Sequence, residues 1–139
     1  MYSNAQVVQM RIVSKKQIEA VFKLSPAKRY GHSIKIIAEE ELVWGLYNDG
    51  WAMAATNSNN QFIFPIWPLK EYAEVCISGD WLNYEPKSIC LYEFIDDYLA
   101  SFREDNILPC IFYGTEDQGM LADIDMLIAD IENECLKYD

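Results

Sequence analysis

Apolar residues recur every three to four positions in some stretches of this chain and form short, nearly unbroken runs in others, a contrast that separates helices from strands. Ser14-Lys15-Lys16-Gln17 matches a capping box, in which hydroxyl and amide satisfy backbone N–H groups at a helix start. A short helix follows, with Ile18, Val21 and Phe22 on its apolar side. Ser25-Pro26 opens a second helix, where Tyr30, Ile34, Ile37 and Ala38 share one stripe and Lys28, Arg29 and Lys35 face the other side. Glu39-Glu40-Glu41 opposes the dipole at the end of that helix, so fraying is expected there.

The stretch Leu42 to Tyr84 organises the rest and holds all four tryptophans, Trp44, Trp51, Trp67 and Trp81. It reads as a β-meander: Leu42–Tyr47 and Trp51–Thr56 flank the tight-turn residues Asn48-Asp49-Gly50, and a polar turn over Asn57–Asn60 leads to a strand over Gln61–Trp67. Pro65 marks a point on this third strand where its edge is unpaired. Both faces of the strands are apolar, which calls for helices on both sides or for a groove or partner surface on one.

Pro68 opens a helix to about Ser78, and Gly79-Asp80 breaks it. A short strand over Pro86–Ile89 precedes a helix from Leu91 to about Arg103, with Leu91, Phe94, Ile95, Tyr98, Leu99 and Phe102 as its core stripe. Cys90 stands at its N-cap position, where a thiol caps less well than a hydroxyl. A strand over Ile107–Tyr113, with Pro109 inside it, precedes a terminal helix marked by Leu121, Ile124, Leu127, Ile128, Ile131 and Cys135. The N-terminal residues Ala5, Val7, Val8 and Met10 fit a short strand or an ordered tail. The fold expected is α+β: a small, mostly antiparallel sheet built on the central meander, with N-terminal, middle and C-terminal helices around it.

Composition adds size and charge. The chain has 139 residues, 51% of them hydrophobic, which suits a single domain with a real core. No apolar run reaches a membrane span, and the N-terminus places its charges after a weak apolar patch, the reverse of a signal peptide. A cytoplasmic protein is expected, with its four cysteines reduced and packed, since no C-x-x-C occurs and His32 is the only histidine. Net charge is −11, and it is uneven: residues 1–70 carry 8 basic and 5 acidic side chains, residues 71–139 carry 3 and 17. Such a field repels nucleic acid and anionic membrane and favours a basic protein partner. Acidic surfaces also serve solubility alone.

VWGLYNDGWAMA, FPIWPLKEYAEVC and GDWLNYEPKSICLYEF, in this order and spacing, resemble the bacterial domain-of-unknown-function family 2750 over roughly Val43 to Tyr138. The resemblance implies a small acidic α+β protein of one domain and brings no catalytic or binding residues with it. Where Cys90 stands, the family pattern usually has Ser, in keeping with a helix cap.

No nucleotide-binding or metal-binding motif is present, so no cofactor and no metal is expected. The carboxylate pairs Asp96/Asp97, Glu116/Asp117 and Asp123/Asp125 are better explained as a solvated face than as acid–base or cation sites, because helix neighbours point about 100° apart. His32 is expected at the surface near Lys28 and Arg29, away from any nucleophile. Tryptophans are most often core, yet they also anchor interfaces. If a groove forms at the strand-to-helix junction, Trp67, Glu71, Tyr72, Trp81, Tyr84 and Glu85 line it.

Three readings compete. The first is a non-enzymatic protein-binding module whose acidic half, through Asp96, Asp97, Asp123 and Asp130, docks a basic partner; its sharpest form is an immunity-type protein neutralising a cationic toxin. The second is a small-molecule-binding or enzymatic domain at the aromatic junction. The third is a homodimer through the second apolar face of the sheet.

Overall fold

Ser14 opens the first helix of the computed structural model, which describes residues 12–56 and 60–138. The expected N-terminal strand or tail and most of the Asn57–Asn60 turn lie outside the described residues. The capping box is complete: the Ser14 hydroxyl accepts from the Gln17 N–H at 3.1 Å and the Gln17 side chain accepts from the Ser14 N–H at 2.9 Å, starting α1, Lys15–Phe22. Ser25 caps α2, Pro26–Glu40, with Pro26 in its first turn.

The end of α2 is ordered where fraying was expected. Glu41 takes a left-handed conformation with φ 57°, and its N–H closes the helix onto the Ile37 carbonyl at 2.8 Å. The Glu41 carbonyl then accepts from the Leu91 N–H, and its carboxylate accepts from the Tyr92 hydroxyl at 2.6 Å. Contacts with a later helix thus outweigh the unfavourable dipole, whose effect on an exposed carboxylate is under about 1 kcal/mol. The outward assignment of Arg29 is also overturned. Arg29 is 1% exposed and lies on a buried stripe with Ser33, Ile36 and Ile37.

Six strands form two sheets among the described residues. β1, Leu42–Tyr47, pairs antiparallel with β4, Glu85–Cys90. The second sheet has the order β2-β3-β5-β6, built from Ala54–Ala55, Phe62–Ile66, Ile107–Ile111 and Met120–Leu121. Only the β3–β5 pair among these strands is parallel, so the sheets are mostly antiparallel, as expected for this α+β fold. A parallel pair needs a long crossover, which the chain from Trp67 to Asn106 supplies.

The expected meander is split between the two sheets: its first strand pairs with β4, and its second, reduced to Ala54–Ala55, pairs with β3. Asp49 takes φ 55° in the Asn48–Gly50 turn, and the hairpin closes through a Tyr47–Trp51 bridge and an Ala52 N–H to Leu46 carbonyl bond of 2.8 Å. The chain then leaves β1 and pairs with β3. Gly45 is needed at this point: a Cβ there would stand 3.0 Å from two carbons of the Trp51 ring that lies over it. The two sheets are joined where Trp44 and Trp67 exchange backbone hydrogen bonds of 2.9 and 2.8 Å. Pro65, two residues earlier, faces the same edge in the gap between β2 and β1, so its missing N–H deprives no partner.

α3 is shorter than the sequence suggests, Lys70–Val75, with Leu69 at its N-cap and no side-chain cap. The next helix, α4, is α-helical over Leu91–Glu93, π-helical over Phe94–Tyr98 and α-helical again over Leu99–Asp105. The wider turn explains its core stripe, because Phe94 and Leu99, five positions apart, are both fully buried. The terminal helix α5 is Ile124–Cys135. Leu121, expected within it, belongs to the edge strand β6 and is exposed. Asp123 caps α5 by accepting from the Met126 N–H at 3.0 Å. The core that these elements enclose centres on Ile37, Leu46, Phe64, Trp67, Phe94 and Phe112.

Candidate functional site

The aromatic junction divides into core and groove. Trp67 is fully buried, and its indole N–H donates to the Tyr113 carbonyl at 2.9 Å. Tyr72 is 2% exposed, packs against Phe112 with ring centres 4.9 Å apart, and pairs its hydroxyl with His32 Nε2 at 3.2 Å. His32 is therefore half-buried against the core, not a free surface group. Glu71 is half-buried on α3, and Glu85 is exposed at the start of β4, opposite Tyr47. Of the six candidates, Trp81 and Tyr84 come together, in the lining of an open groove with a volume of about 540 Å³.

That groove lies between the chain that follows β5 and the edge strand β2, whose residues pair with the start of β3. Its walls are built from the Gly79–Trp81 turn, Tyr84, the chain after β5 at Tyr113–Thr115, and the β2 edge. Trp81 and Tyr113 meet edge to face with centres 5.0 Å apart. The Tyr113 wall is fixed from behind, since its carbonyl accepts from both Trp67 and the Cys76 thiol, the latter at 3.3 Å. Burial pushes the Cys76 thiol up to about 12, and burial with the nearby Asp117 charge pushes Cys110 to about 12. Both thiols stay protonated at neutral pH and are poor nucleophiles.

The loop after β5 is anchored by a buried cation. The Arg29 guanidinium donates to the Leu24 carbonyl at 2.7 Å, to the Phe112 carbonyl at 3.3 Å and to the Asp117 carboxylate. Phe112 is held at φ 62°, a strained conformation for an aromatic residue, with the guanidinium 5.3 Å from its ring centre. Asp117 also accepts from the Gly119 N–H at 2.8 Å. Partial burial raises the Asp117 carboxyl, but the Arg29 contact and the Gly119 N–H outweigh it and hold the group below its usual range. The sequence placed Arg29 outside and Asp117 on a solvated face, so this anchor was missed.

A second feature lies on the acidic half. α4 and α5 border a shared cleft: Leu91 and Ile95 line it with Ile131 and Cys135 at one end, and Arg103 pairs with Asp125 at the other end of the two helices. The cleft has a volume of about 670 Å³, an apolar floor that continues to the exposed Leu136, and Asp96 and Glu132 at its sides. Of the four acidic candidates only Asp96 lines it. Asp97 turns toward Trp51 and Ser101, Asp123 is spent on capping α5, and Asp130 accepts a 2.5 Å hydrogen bond from the Tyr30 hydroxyl between α5 and α2. Burial and the Asp130 contact raise the Tyr30 phenol well above its ordinary value. The sequence thus found the acidic helices but missed Glu132, which the cleft geometry singles out.

The model of a family described as "Protein of unknown function (DUF2750)" matches residues 30–131. The chain belongs to this family. The DUF2750 segment spans α2 to α5 and so contains the groove and most of the acidic cleft, while Arg29 and α1 lie just before it. It begins and ends earlier than the resemblance read from the tryptophan motifs, which ran from roughly Val43 to Tyr138. No curated protein and no solved structure matches the chain. Among the described residues, no group of three or more His, Cys, Asp or Glu is placed to hold a metal ion. No described helix is long and apolar enough to cross a membrane.

Proposed function

We propose that the chain is a non-catalytic protein-binding module, and that the cleft between α4 and α5 receives a basic amphipathic helix of its partner. The observation that carries this reading is the pairing of an accessible apolar surface with acidic sides: Ile95, Cys135 and the exposed Leu136 beside Asp96 and Glu132. Residues 91–139 hold 13 carboxylate side chains and only two basic ones, Arg103 and Lys137, both of which pair locally with Asp125 and Glu134. The field over the cleft is therefore uncompensated, and grooves of this kind accept helices through apolar anchors flanked by charge. An immunity-type role, with a cationic toxin as the partner, is the special case that small size and a net charge of −11 favour.

The non-catalytic part rests on the protonated thiols of Cys76 and Cys110 and on the contact of His32 with Tyr72, which leave no activated nucleophile–base pair among these groups. A cytoplasmic setting is favoured by four free cysteines, two of them buried, since thiols persist in reducing compartments. The test is a titration at low salt with an amphipathic Leu/Lys helical peptide and with a scrambled peptide of the same composition. Wild-type protein should prefer the helical peptide, and Asp96→Lys with Glu132→Lys should weaken it about tenfold, equivalent to ~1.4 kcal/mol. Equal affinity for both peptides, or an unaffected double variant, would dismiss the reading.

A further inference from the structure

We propose that the groove between β2 and the chain after β5 is a second, independent binding site, and that its ligand is a small alkylammonium compound. Three aromatic side chains, Trp81, Tyr84 and Tyr113, line the groove, with Asp80 as its carboxylate and the hydroxyls of Ser78 and Thr115 beside them. No lining residue is basic. Aromatic faces attract cations through their quadrupole, and most strongly where water is partly excluded. An anionic ligand would meet that quadrupole, Asp80 and a chain of net charge −11, all unfavourable.

The nearest buried cation does not reverse this. A Cβ on Gly114 would stand 3.1 Å from Arg29 Nη2, so the guanidinium lies directly behind the groove wall. It is nonetheless neutralised by Asp117 and turned toward the Leu24 and Phe112 carbonyls. Its effect is to hold the Tyr113–Thr115 wall in place. The Tyr113 ring is set by its contact with Trp81 and by the two donors on its carbonyl, so the aromatic surface is formed before any ligand arrives. A volume of about 540 Å³ suits a metabolite-sized molecule. An uncharged apolar molecule would fit less well, because Ser78, Asp80 and Thr115 need polar partners or water.

The probe pair is choline and its uncharged isostere 3,3-dimethyl-1-butanol, which differ only in replacing the quaternary nitrogen by carbon. Each is titrated into the full chain while the Trp81 indole and the Gly79, Gly114 and Thr115 amides are followed by NMR. Choline should shift these resonances saturably and the alcohol should not. Asp80→Asn, a change at an exposed side chain, should weaken choline about threefold or more while the spectrum elsewhere is unchanged. Trp81→Leu should abolish the response; because that variant also removes a packed ring, Asp80→Asn is the deciding one. No saturable choline shift, an equal response to both compounds, or unchanged affinity in Asp80→Asn would overturn the proposal. Loss of the acidic-cleft interaction would leave it standing, because the two sites share no residue.

Discussion

Arg29 holds one wall of the candidate groove from behind. A fully buried guanidinium is tolerated because two backbone carbonyls and the Asp117 carboxylate accept from its terminal nitrogens, while its buried Nε–H has no partner. Removing Asp117 leaves a buried charge short of its partner while the carbonyl contacts remain, so Asp117→Asn should lower stability by about 2 kcal/mol, measured by urea unfolding at neutral pH. The carboxyl is held below its ordinary value of 3.8, so its contribution is complete above that value. It is lost as pH falls through the lower folded value, and the variant should show a shallower acid-side loss than wild type. This anchor was illegible in the sequence for a physical reason. Arg29 stands beside Lys28 in a helix, and its partner is 88 positions away, so helical spacing alone gives no hint of the pairing. Trp67 was read in both ways, and its indole bond to the Tyr113 carbonyl places it in the core.

Helix starts with a capping residue at the N-cap position were legible at the first two helices and α4, because capping is local chemistry. By contrast, α3 starts two residues after the expected Pro68, and α5 only after Asp123. Ser14, Ser25 and the weak cap at Cys90 all stand where the pattern put them, and the Cys90 side chain makes no capping bond. Cys90→Ser should therefore stabilise the protein by about 0.5–1 kcal/mol in the same unfolding assay, by supplying the hydroxyl that α4 lacks. An unchanged midpoint would mean that the π turn just beyond leaves no N–H in reach of the cap. Strand pairing was less legible. Apolar runs identify strands but not their neighbours, and neither the β1–β4 ladder nor the parallel β3–β5 pair has a local signature. The short β6 was missed because two residues carry no period. Of the candidate site, Trp81, Tyr84 and Asp96 were found from aromatic and acidic clustering. Tyr113, Asp80 and Glu132 depend on chain segments brought together only by the fold.

At the scale of the molecule, charge and shape divide the surface. The acidic half is concentrated on α4, α5 and the loop after β5, whereas the basic residues before position 71 lie mostly on the N-terminal helices. The cleft between α4 and α5 couples that charge to an apolar floor, and the groove between β2 and the chain after β5 couples aromatic rings to one carboxylate. On both proposals the two surfaces share one preference, for positive charge. The decisive measurement is a capture experiment from the source cells with three immobilised proteins: wild type, the Asp96→Lys/Glu132→Lys variant, and Asp80→Asn. Surface electrostatics is screened over about 10 Å at 0.1 M salt, so each is washed at low and high salt. The account predicts a basic protein retained by wild type and by Asp80→Asn, lost from the cleft variant, and weakened at high salt. Capture that ignores the cleft substitutions, or no retained protein at either salt, would contradict it.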